Sequence, residues 1–459
     1  GGACRSLLFK PAQQEFALSQ DAGYGILRDQ LWAPPYMFAD RPYSWRVGGD
    51  VNSAWAELSV GGAGGMMSFT TLSKRVEISR GSAAVRVHYR LLNDPSSQTD
   101  YTYGFWVHNF LGVLGQPMRY FFPTEEGVKE LPFPLPKGQK QSDFWWKDPV
   151  RGWTAVCGEN GVGLATQADY KYVNCFYNWA GTGYPAATHE WRYNRLPLKS
   201  GQTFETNVAL LPFSGLTRVD GVVEDVIGGI DLTTGAGPAA QDAAPAACTV
   251  KLLPTSPQTA ATTGLIRLKQ LPSGAWQELG KIEMAAGKPA EQQVKLGTLT
   301  PGGYVLNVQL QRAGKALDDF ERPFPVGGAQ VVYHRAPLEQ RVGMAAEEKA
   351  SLPRHDLSDE IVTPHVEWAT PLPGGPIKAL VLCDDFVARE VIELKQRLQM
   401  DLTYVKFRTT FWTEELYCGD RSISTPDQAN KRLLDYLKAG KYDLLILSGF
   451  NWGKRFKPE

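Results

Sequence analysis

Three residues in the N-terminal half carry side chains suited to moving protons: His108, His189 and Glu190. An imidazole and a carboxylate together supply a general acid and a general base near neutral pH. Because His189 and Glu190 are adjacent, they point to opposite faces of a regular strand, and only one of them faces a given cleft. The spacing therefore favours His108 paired with Glu190, or His189 paired with a carboxylate that the sequence does not place.

Aromatic and polar side chains lie close to these three residues along the chain. Sugar rings pack their weakly apolar C–H faces on flat aromatic rings, while their hydroxyl groups need polar partners. The neighbouring residues supply both kinds of group, so we expect them to bind a carbohydrate ligand. The candidate binding residues are Trp106, Tyr177, Trp179, Tyr184, Trp191 and Arg192.

Simpler interpretations exist for each candidate. His108 beside Trp106 is also typical of a hydrogen-bonded core histidine. Glu190 and Arg192 share one strand face two positions apart, which suits a surface salt bridge. Tryptophan is often buried for its area alone, and a chain whose Trp side chains were all in the core would suit a structural or adhesion protein.

The elements that must position these residues are strands. The run from Ala84 to Leu91 alternates, with one face apolar and the other polar. The apolar face carries Val85, Val87, Tyr89 and Leu91, and the polar face carries Arg86, His88 and Arg90. Similar runs, separated by turn signals, continue through residues 1–232, and helix signals are nearly absent. A large antiparallel sandwich or barrel is predicted for this zone.

Two further domains are predicted. Residues 234–247 are small and Pro-containing, as in a linker, and short strands across 248–327 suit an immunoglobulin-like β-sandwich. In residues 377–459 the order strand, helix, strand, helix, strand predicts parallel strands of a doubly wound, flavodoxin-like α/β domain. Such a fold normally has five or six strands, so we expect the polypeptide to continue beyond Glu459 or a second fragment to complete the domain.

Residues 1–232 resemble the galactose-mutarotase-like β-supersandwich of sugar epimerases and polysaccharide-processing enzymes. The resemblance is carried by Val85–Asn93, Tyr103–Gly112, Gly152–Thr166 and His189–Arg192 with the turn and returning strand that follow. It implies a carbohydrate-active protein, either a glycan-processing hydrolase, lyase or epimerase or a non-catalytic glycan-binding or scaffolding module. It also implies Glu190 as the base and His108 or His189 as the acid.

The last zone looks like the start of a class I glutamine-amidotransferase-like domain. Val381–Asp385 and Leu445–Phe450 carry this likeness. An active amidotransferase of this type needs a Cys on a Gly-x-Cys-x-Gly elbow, which neither Cys383 nor Cys418 has. Glutamine hydrolysis is therefore not expected from this stretch.

Composition and motifs argue against other classes. Lys+Arg equals Asp+Glu at 48 each, so the basic excess typical of nucleic-acid binders is missing, and no apolar run approaches the 18 residues of a membrane span. No dinucleotide, P-loop, HExxH or CxxC motif occurs, so we expect no cofactor and no metal. The chain begins with Gly1, which suggests a removed signal peptide and a periplasmic or extracellular location.

Overall fold

The computed structural model describes the greater part of the chain, which divides into two compact units, Gly1–Met344 and Ala345–Glu459. The described residues are 2–18, 25–31, 38, 41–62, 69–97, 105–111, 117–133, 141–147, 149–181, 187–194, 198–234, 245–257, 259–338, 376–384, 394, 400–409, 416–418, 431 and 434–448.

The N-terminal unit consists mainly of β-strands where it is described, with 3₁₀ turns at Lys10–Ala12 and Tyr170–Tyr172. Its first eighteen strands are β1 Leu8–Phe9, β2 Gln14–Glu15, β3 Arg28–Leu31, β4 Ser44–Gly49, β5 Ser53–Gly61, β6 Thr70–Ser79, β7 Val85–Asn93, β8 Phe105–His108, β9 Phe110–Leu111, β10 Met118–Thr124, β11 Gly127–Phe133, β12 Gln141–Lys147, β13 Trp153–Gly158, β14 Val162–Ala168, β15 Val173–Gly181, β16 Ala187–Thr188, β17 Glu190–Tyr193 and β18 Thr203–Ser214.

Among these described strands, β1 and β2 pair with each other, and the other sixteen strands form two antiparallel sheets, as predicted for this zone. Within the described residues, the large sheet has nine strands in the order β11-β10-β13-β14-β18-β7-β6-β5-β4. The facing sheet has the order β3-β8-β17-β15-β16-β9, and β12 pairs with β15 at its side. The sheets pack through an apolar core in which the rings of Tyr89 and Phe105 lie 5.0 Å apart.

The predicted alternation of β7 is confirmed. Val85, Val87, Tyr89 and Leu91 are buried in the core between the sheets, and the intervening Arg86, His88 and Arg90 are exposed on the outer face of the large sheet. Successive residues of a strand point to opposite faces. A sheet with one face in the core and the other in solvent therefore requires apolar and polar residues to alternate along its strands.

A smaller sandwich follows within the same unit. Its strands are β19 Gly221–Val223, β20 Val226–Thr234, β21 Pro245–Pro254, β22 Thr262–Gln270, β23 Gln277–Met284, β24 Ala290–Lys295, β25 Gly302–Arg312 and β26 Lys315–Val326. Across the described residues they form two antiparallel sheets, β19-β20-β21-β24 and β23-β22-β25-β26, around a shared apolar core. The immunoglobulin-like assignment remains a prediction.

The small sandwich extends across the expected boundary at residue 232. Strand β20 lies before the predicted linker, yet it pairs with β21 from Val226 to Thr234. Strand β26 packs closely on β19 and β20, because the side chain of Phe320 lies directly against Gly221 and Gly228, which have no side chains. The outer face of the large sheet packs on this sandwich, and Arg151 donates hydrogen bonds to the carboxylate of Asp318.

The C-terminal unit contains a small sheet with the strand order β29-β28-β27-β30 in its described part. The strands are β27 Lys378–Asp384, β28 Asp401–Thr409, β29 Leu416–Cys418 and β30 Leu444–Ser448. The predicted parallel pairing is present, because β27 pairs in parallel with both β28 and β30. Residues 431 and 434–438 are helical. The complete flavodoxin-like fold remains a prediction.

Candidate functional site

The sheet register brings His108 and Glu190 together. Strands β8 and β17 are antiparallel neighbours, with Val107 opposite Trp191 and Trp106 opposite Arg192. The next step of this register places Glu190 beside His108, and Nε2 of the imidazole lies 3.0 Å from Oε2 of the carboxylate. Of the two pairings that the spacing left open, the structure contains the one between His108 and Glu190.

Alternation decides which side of the facing sheet carries this pair. Val107 and Trp191 point into the core between the two sheets, where both are fully buried. Their strand neighbours His108 and Glu190 therefore point to the other side, which we call the outer face of the facing sheet. Trp106 and Arg192 lie on the outer face as well.

The two members of the pair differ in exposure. The Glu190 side chain is 1% exposed, whereas the His108 side chain is 17% exposed. The side-chain amide nitrogen of Gln30, on β3, lies 2.5 Å from the same nitrogen, Nε2 of His108. The carboxylate is thus a buried partner, and the imidazole is the member of the pair that a ligand on this face reaches.

Aromatic rings surround the pair on the outer face. The ring of Trp106 lies 4.8 Å from that of His108 and meets Tyr177 edge-on at 5.7 Å. Strand β12 adds Trp145, which stands opposite Tyr177 in the register, and the two rings are 4.4 Å apart. Trp106 is buried beneath this cluster, while Trp145 is half-buried. Edge-on and tilted contacts of this kind are the favoured geometry for aromatic pairs.

Arg192 closes one side of the cluster. Its guanidinium carbon lies 5.7 Å from the centre of the Trp145 ring, within the range of a cation–π contact. Its Nε donates a hydrogen bond to Oδ1 of Asn174 at 3.0 Å. Arg192 thus presents a fixed cation beside the aromatic rings and close in register to Trp106.

The remaining predicted binding residues differ in how far they can be placed. Trp179 is half-buried two positions beyond Tyr177 on β15, and its backbone N–H donates to Oγ1 of Thr188 at 2.9 Å. The strand period puts it on the same face as Tyr177. Tyr184 lies outside the described residues.

His189 and Trp191 do not belong to this site, which corrects the expectation for both. Nε2 of His189 lies 3.0 Å from Oγ1 of Thr166 in the large sheet, and its ring stacks near Tyr120. Trp191 is fully buried in the core. The reason is alternation, since both residues flank Glu190 and point inward where it points outward. Burial lowers the pKa of His189 to about 3.

Two site residues were not found from the sequence. Gln30 is 78 positions away from His108, and the short strand that carries it has no clear apolar alternation. Trp145 is not among the candidate residues named from the sequence, and it lies in β12. Its neighbour Trp146 turns to the core and stacks on Phe122 at 5.0 Å. Three aromatic residues in a row show no polar–apolar alternation, so the sequence did not indicate which of them faces the site.

Neither a metal site nor a membrane span is found in the described part of the chain. No group of three or more His, Cys, Asp or Glu residues there is placed to hold a metal ion. No described helix has the length and apolar character needed to cross a membrane.

No protein-family model and no curated protein matches the chain. Structural neighbours over roughly its N-terminal half include galactose mutarotase-like proteins. One, from Lactobacillus casei, has 13% identity and a TM-score of 0.32, covering 46% of this chain and 94% of its own. Another, from Clostridium acetobutylicum, has 9% identity and a TM-score of 0.35, covering 47% and 90%.

An alpha-N-acetylgalactosaminidase from Bifidobacterium bifidum is a further neighbour, with 12% identity and a TM-score of 0.34. The match covers 44% of this chain and 32% of the enzyme, so this chain spans about a third of it. Likenesses at this level carry no argument about activity. The amidotransferase-like assignment of residues 377–459 receives no support from these neighbours.

Proposed function

We propose that the N-terminal unit binds a carbohydrate on the outer face of the facing sheet and processes it with His108 and Glu190 as an acid–base pair. The observation that carries the proposal is the 3.0 Å contact between these two side chains within a cluster of aromatic rings. Hydrolysis, elimination and epimerisation of a glycan all need a proton to be removed or supplied at a sugar ring. The pair serves this shared step.

The exposure of the two side chains suggests how they divide the work. His108 is the member that a ligand reaches, so it exchanges the proton with the sugar. Glu190 is buried against Nε2 of His108, where it helps to keep the imidazole ring in one orientation. This differs from the assignment of Glu190 as the base, because a carboxylate that is 1% exposed has almost no surface to offer a substrate.

The surrounding groups suit recognition of a sugar. Half-buried Trp145 and Trp179 offer aromatic surface for the C–H face of a ring. Arg192 supplies hydrogen-bond donors for the hydroxyl groups of a sugar. We infer that a sugar lies across these rings with its reacting carbon next to His108.

A turnover and binding screen of the full chain against a panel of glycans tests this function. We expect Glu190→Gln to lower turnover of a processed glycan by about 100-fold or more, because His108 loses the carboxylate that orients its ring, with binding retained. Glu205→Gln is the matched control, because Glu205 lies 3.8 Å from His88 in an exposed pair on the large sheet. Equal turnover in Glu190→Gln and the wild type would refute the catalytic role.

The second candidate is a non-catalytic glycan-binding module. The burial of both Glu190 and Trp106 favours it, because it leaves only part of the cluster open to a ligand. In that case the wild type binds a glycan without changing it, and Glu190→Gln binds equally well. Absence of binding to every glycan on the panel would contradict both candidates.

A further inference from the structure

A second cleft lies on the opposite side of the N-terminal unit from His108 and Glu190. It has a volume of about 770 Å³, within the ~300–1,000 Å³ typical of ligand clefts. Its floor is the outer face of the large sheet around β7, β14 and β18, and strands β19 and β26 of the small sandwich form a wall. None of the residues that line this cleft belongs to the proposed sugar site.

Most charges in this cleft are neutralised by a neighbour. The guanidinium of Arg151 makes two hydrogen bonds to the carboxylate of Asp318, at 2.6 and 3.1 Å. Glu224 pairs with Arg312 at 2.9 Å. Asp169 accepts hydrogen bonds from nearby donors, including the backbone N–H of Asn207 at 2.7 Å. Arg151, Asp318 and Glu224 are thus paired with an opposite charge, whereas Asp169 is held by neutral donors only.

Two cations in the cleft are not neutralised. Arg86 stands opposite Glu77 in the β6–β7 register, but the carboxylate of Glu77 lies 3.4 Å from Arg75 instead. Lys315 begins β26 on the other side of the cleft. Both side chains are exposed, and among the described residues neither takes part in a side-chain hydrogen bond or an ion pair. Among the described residues of the cleft, two cations therefore stand outside any ion pair, against one carboxylate, Asp169, that only neutral groups hold.

Further polar side chains line the same cleft. Nδ1 of His88 is 3.0 Å from Oδ1 of Asn207, and Gln167 lines the cleft beside them. Amides and an imidazole provide donors and acceptors side by side, which matches the hydroxyl groups of a sugar. We propose that this cleft binds an acidic oligosaccharide, with carboxylates on Arg86 and Lys315 and hydroxyls on His88, Asn207 and Gln167.

Calorimetric titration of the full chain with tetragalacturonate tests this site. The uncharged probe is maltotetraose, a neutral oligosaccharide of the same length. We expect binding of the acidic probe only, weakened about tenfold or more by the double substitution Arg86→Ala with Lys315→Ala, because each removes a charge-assisted contact. The matched control is Arg80→Ala with Lys295→Ala, two exposed cations outside the cleft lining.

Further measurements separate this site from the proposed sugar site. Added salt is expected to weaken binding to the wild type, because exposed cations are screened. Glu190→Gln is expected to leave binding of tetragalacturonate unchanged, since Glu190 is on the other side of the unit. The inference is overturned if tetragalacturonate does not bind the wild type, if maltotetraose binds equally well, or if both double variants lose the same affinity.

Discussion

Lys74 and Asp29 form an ion pair in the core between the two sheets. Nζ of Lys74, on β6 of the large sheet, lies 2.5 Å from Oδ2 of Asp29, on β3 of the facing sheet, and both side chains are almost completely excluded from solvent. Nζ also donates to the carbonyl oxygen of Leu27, and the hydroxyl of Tyr43 donates to the same carboxylate. The pair ties β3 to the large sheet and so helps to hold Gln30 against His108.

Lys74→Met is expected to destabilise the N-terminal unit by about 3–5 kcal/mol, because it leaves the carboxylate buried without its cation. Burial raises the pKa of Asp29, and the charge of Lys74 opposes that rise. The free energy of unfolding in urea measures the effect. The double variant Lys74→Met with Asp29→Asn is expected to recover more than half of the lost free energy of unfolding, because it no longer buries an unpaired carboxylate.

The exposed pair of Arg46 and Glu57 provides the control for that experiment, because Arg46 is 70% exposed. Arg46→Met is expected to change the free energy of unfolding by less than about 1 kcal/mol. Similar losses in Lys74→Met and Arg46→Met would show that the buried pair contributes nothing special to stability.

His189 makes the unit sensitive to acid. An unfolded imidazole gains its proton near pH 6.5, whereas burial lowers the pKa of His189 in the fold to about 3. Between these values the unfolded state binds more protons, so stability falls as pH falls, by up to about 1.4 kcal/mol per pH unit. We expect His189→Gln to flatten the dependence of the free energy of unfolding between pH 6.5 and pH 4.

Thr166→Val is the matched variant for that pH series. It removes the hydroxyl that lies 3.0 Å from Nε2 of His189 but leaves the buried imidazole in place. We expect it to lower stability at every pH while the acid slope persists. If Thr166→Val flattened the pH dependence of the free energy of unfolding and His189→Gln did not, protonation of His189 would not be the cause of the acid sensitivity.

Gly228 is required by the close approach of Phe320. A Cβ at this position would lie 2.4 Å from Cζ of the Phe320 ring, so a larger residue forces the ring or the strand to move. We expect Gly228→Ala to destabilise the small sandwich by about 1–3 kcal/mol, the usual effect of overpacking. Thermal unfolding measures it, and adding Phe320→Leu is expected to restore part of the loss.

Gly61 offers a comparison on β5. A Cβ there would meet no atom closer than 3.6 Å. Gly61→Ala is therefore expected to leave the unfolding temperature nearly unchanged. An equal loss in both alanine variants would contradict the steric argument for Gly228.

Trp145 is expected to contribute to binding at the proposed sugar site. It is half-buried, and its ring contacts both Tyr177 and the guanidinium of Arg192. Trp145→Ala removes a stacking surface and a cation–π contact, for which we expect an approximately tenfold loss of affinity for a bound glycan. Titration of the full chain with that glycan measures the loss.

Trp276→Ala is the control for this substitution. Trp276 is 40% exposed on the small sandwich, where the guanidinium of Arg267 lies 4.9 Å from its ring. Trp276→Ala removes the same kinds of contact away from the proposed sugar site, so we expect the affinity for the glycan to be unchanged. An equal effect of both substitutions would remove the argument for the aromatic cluster around Trp145.

Properties that depend on neighbours along one strand were accessible from the amino-acid sequence. The two faces of β7, with Val87 inward and His88 outward, follow from a period of two. The same rule placed His189 and Glu190 on opposite faces, and this favoured the pairing of His108 with Glu190. Local alternation needs no knowledge of which strands become partners.

Strand pairing was the information that the sequence lacked. Gln30 reaches His108 only because β3 pairs with β8, and Trp145 joins the site only because β12 pairs with Tyr177 on β15. These contacts join segments far apart in the chain, and their register depends on packing across the whole sandwich. For the same reason the burial of Glu190, and with it the division of roles between Glu190 and His108, emerged only from the folded arrangement of both sheets.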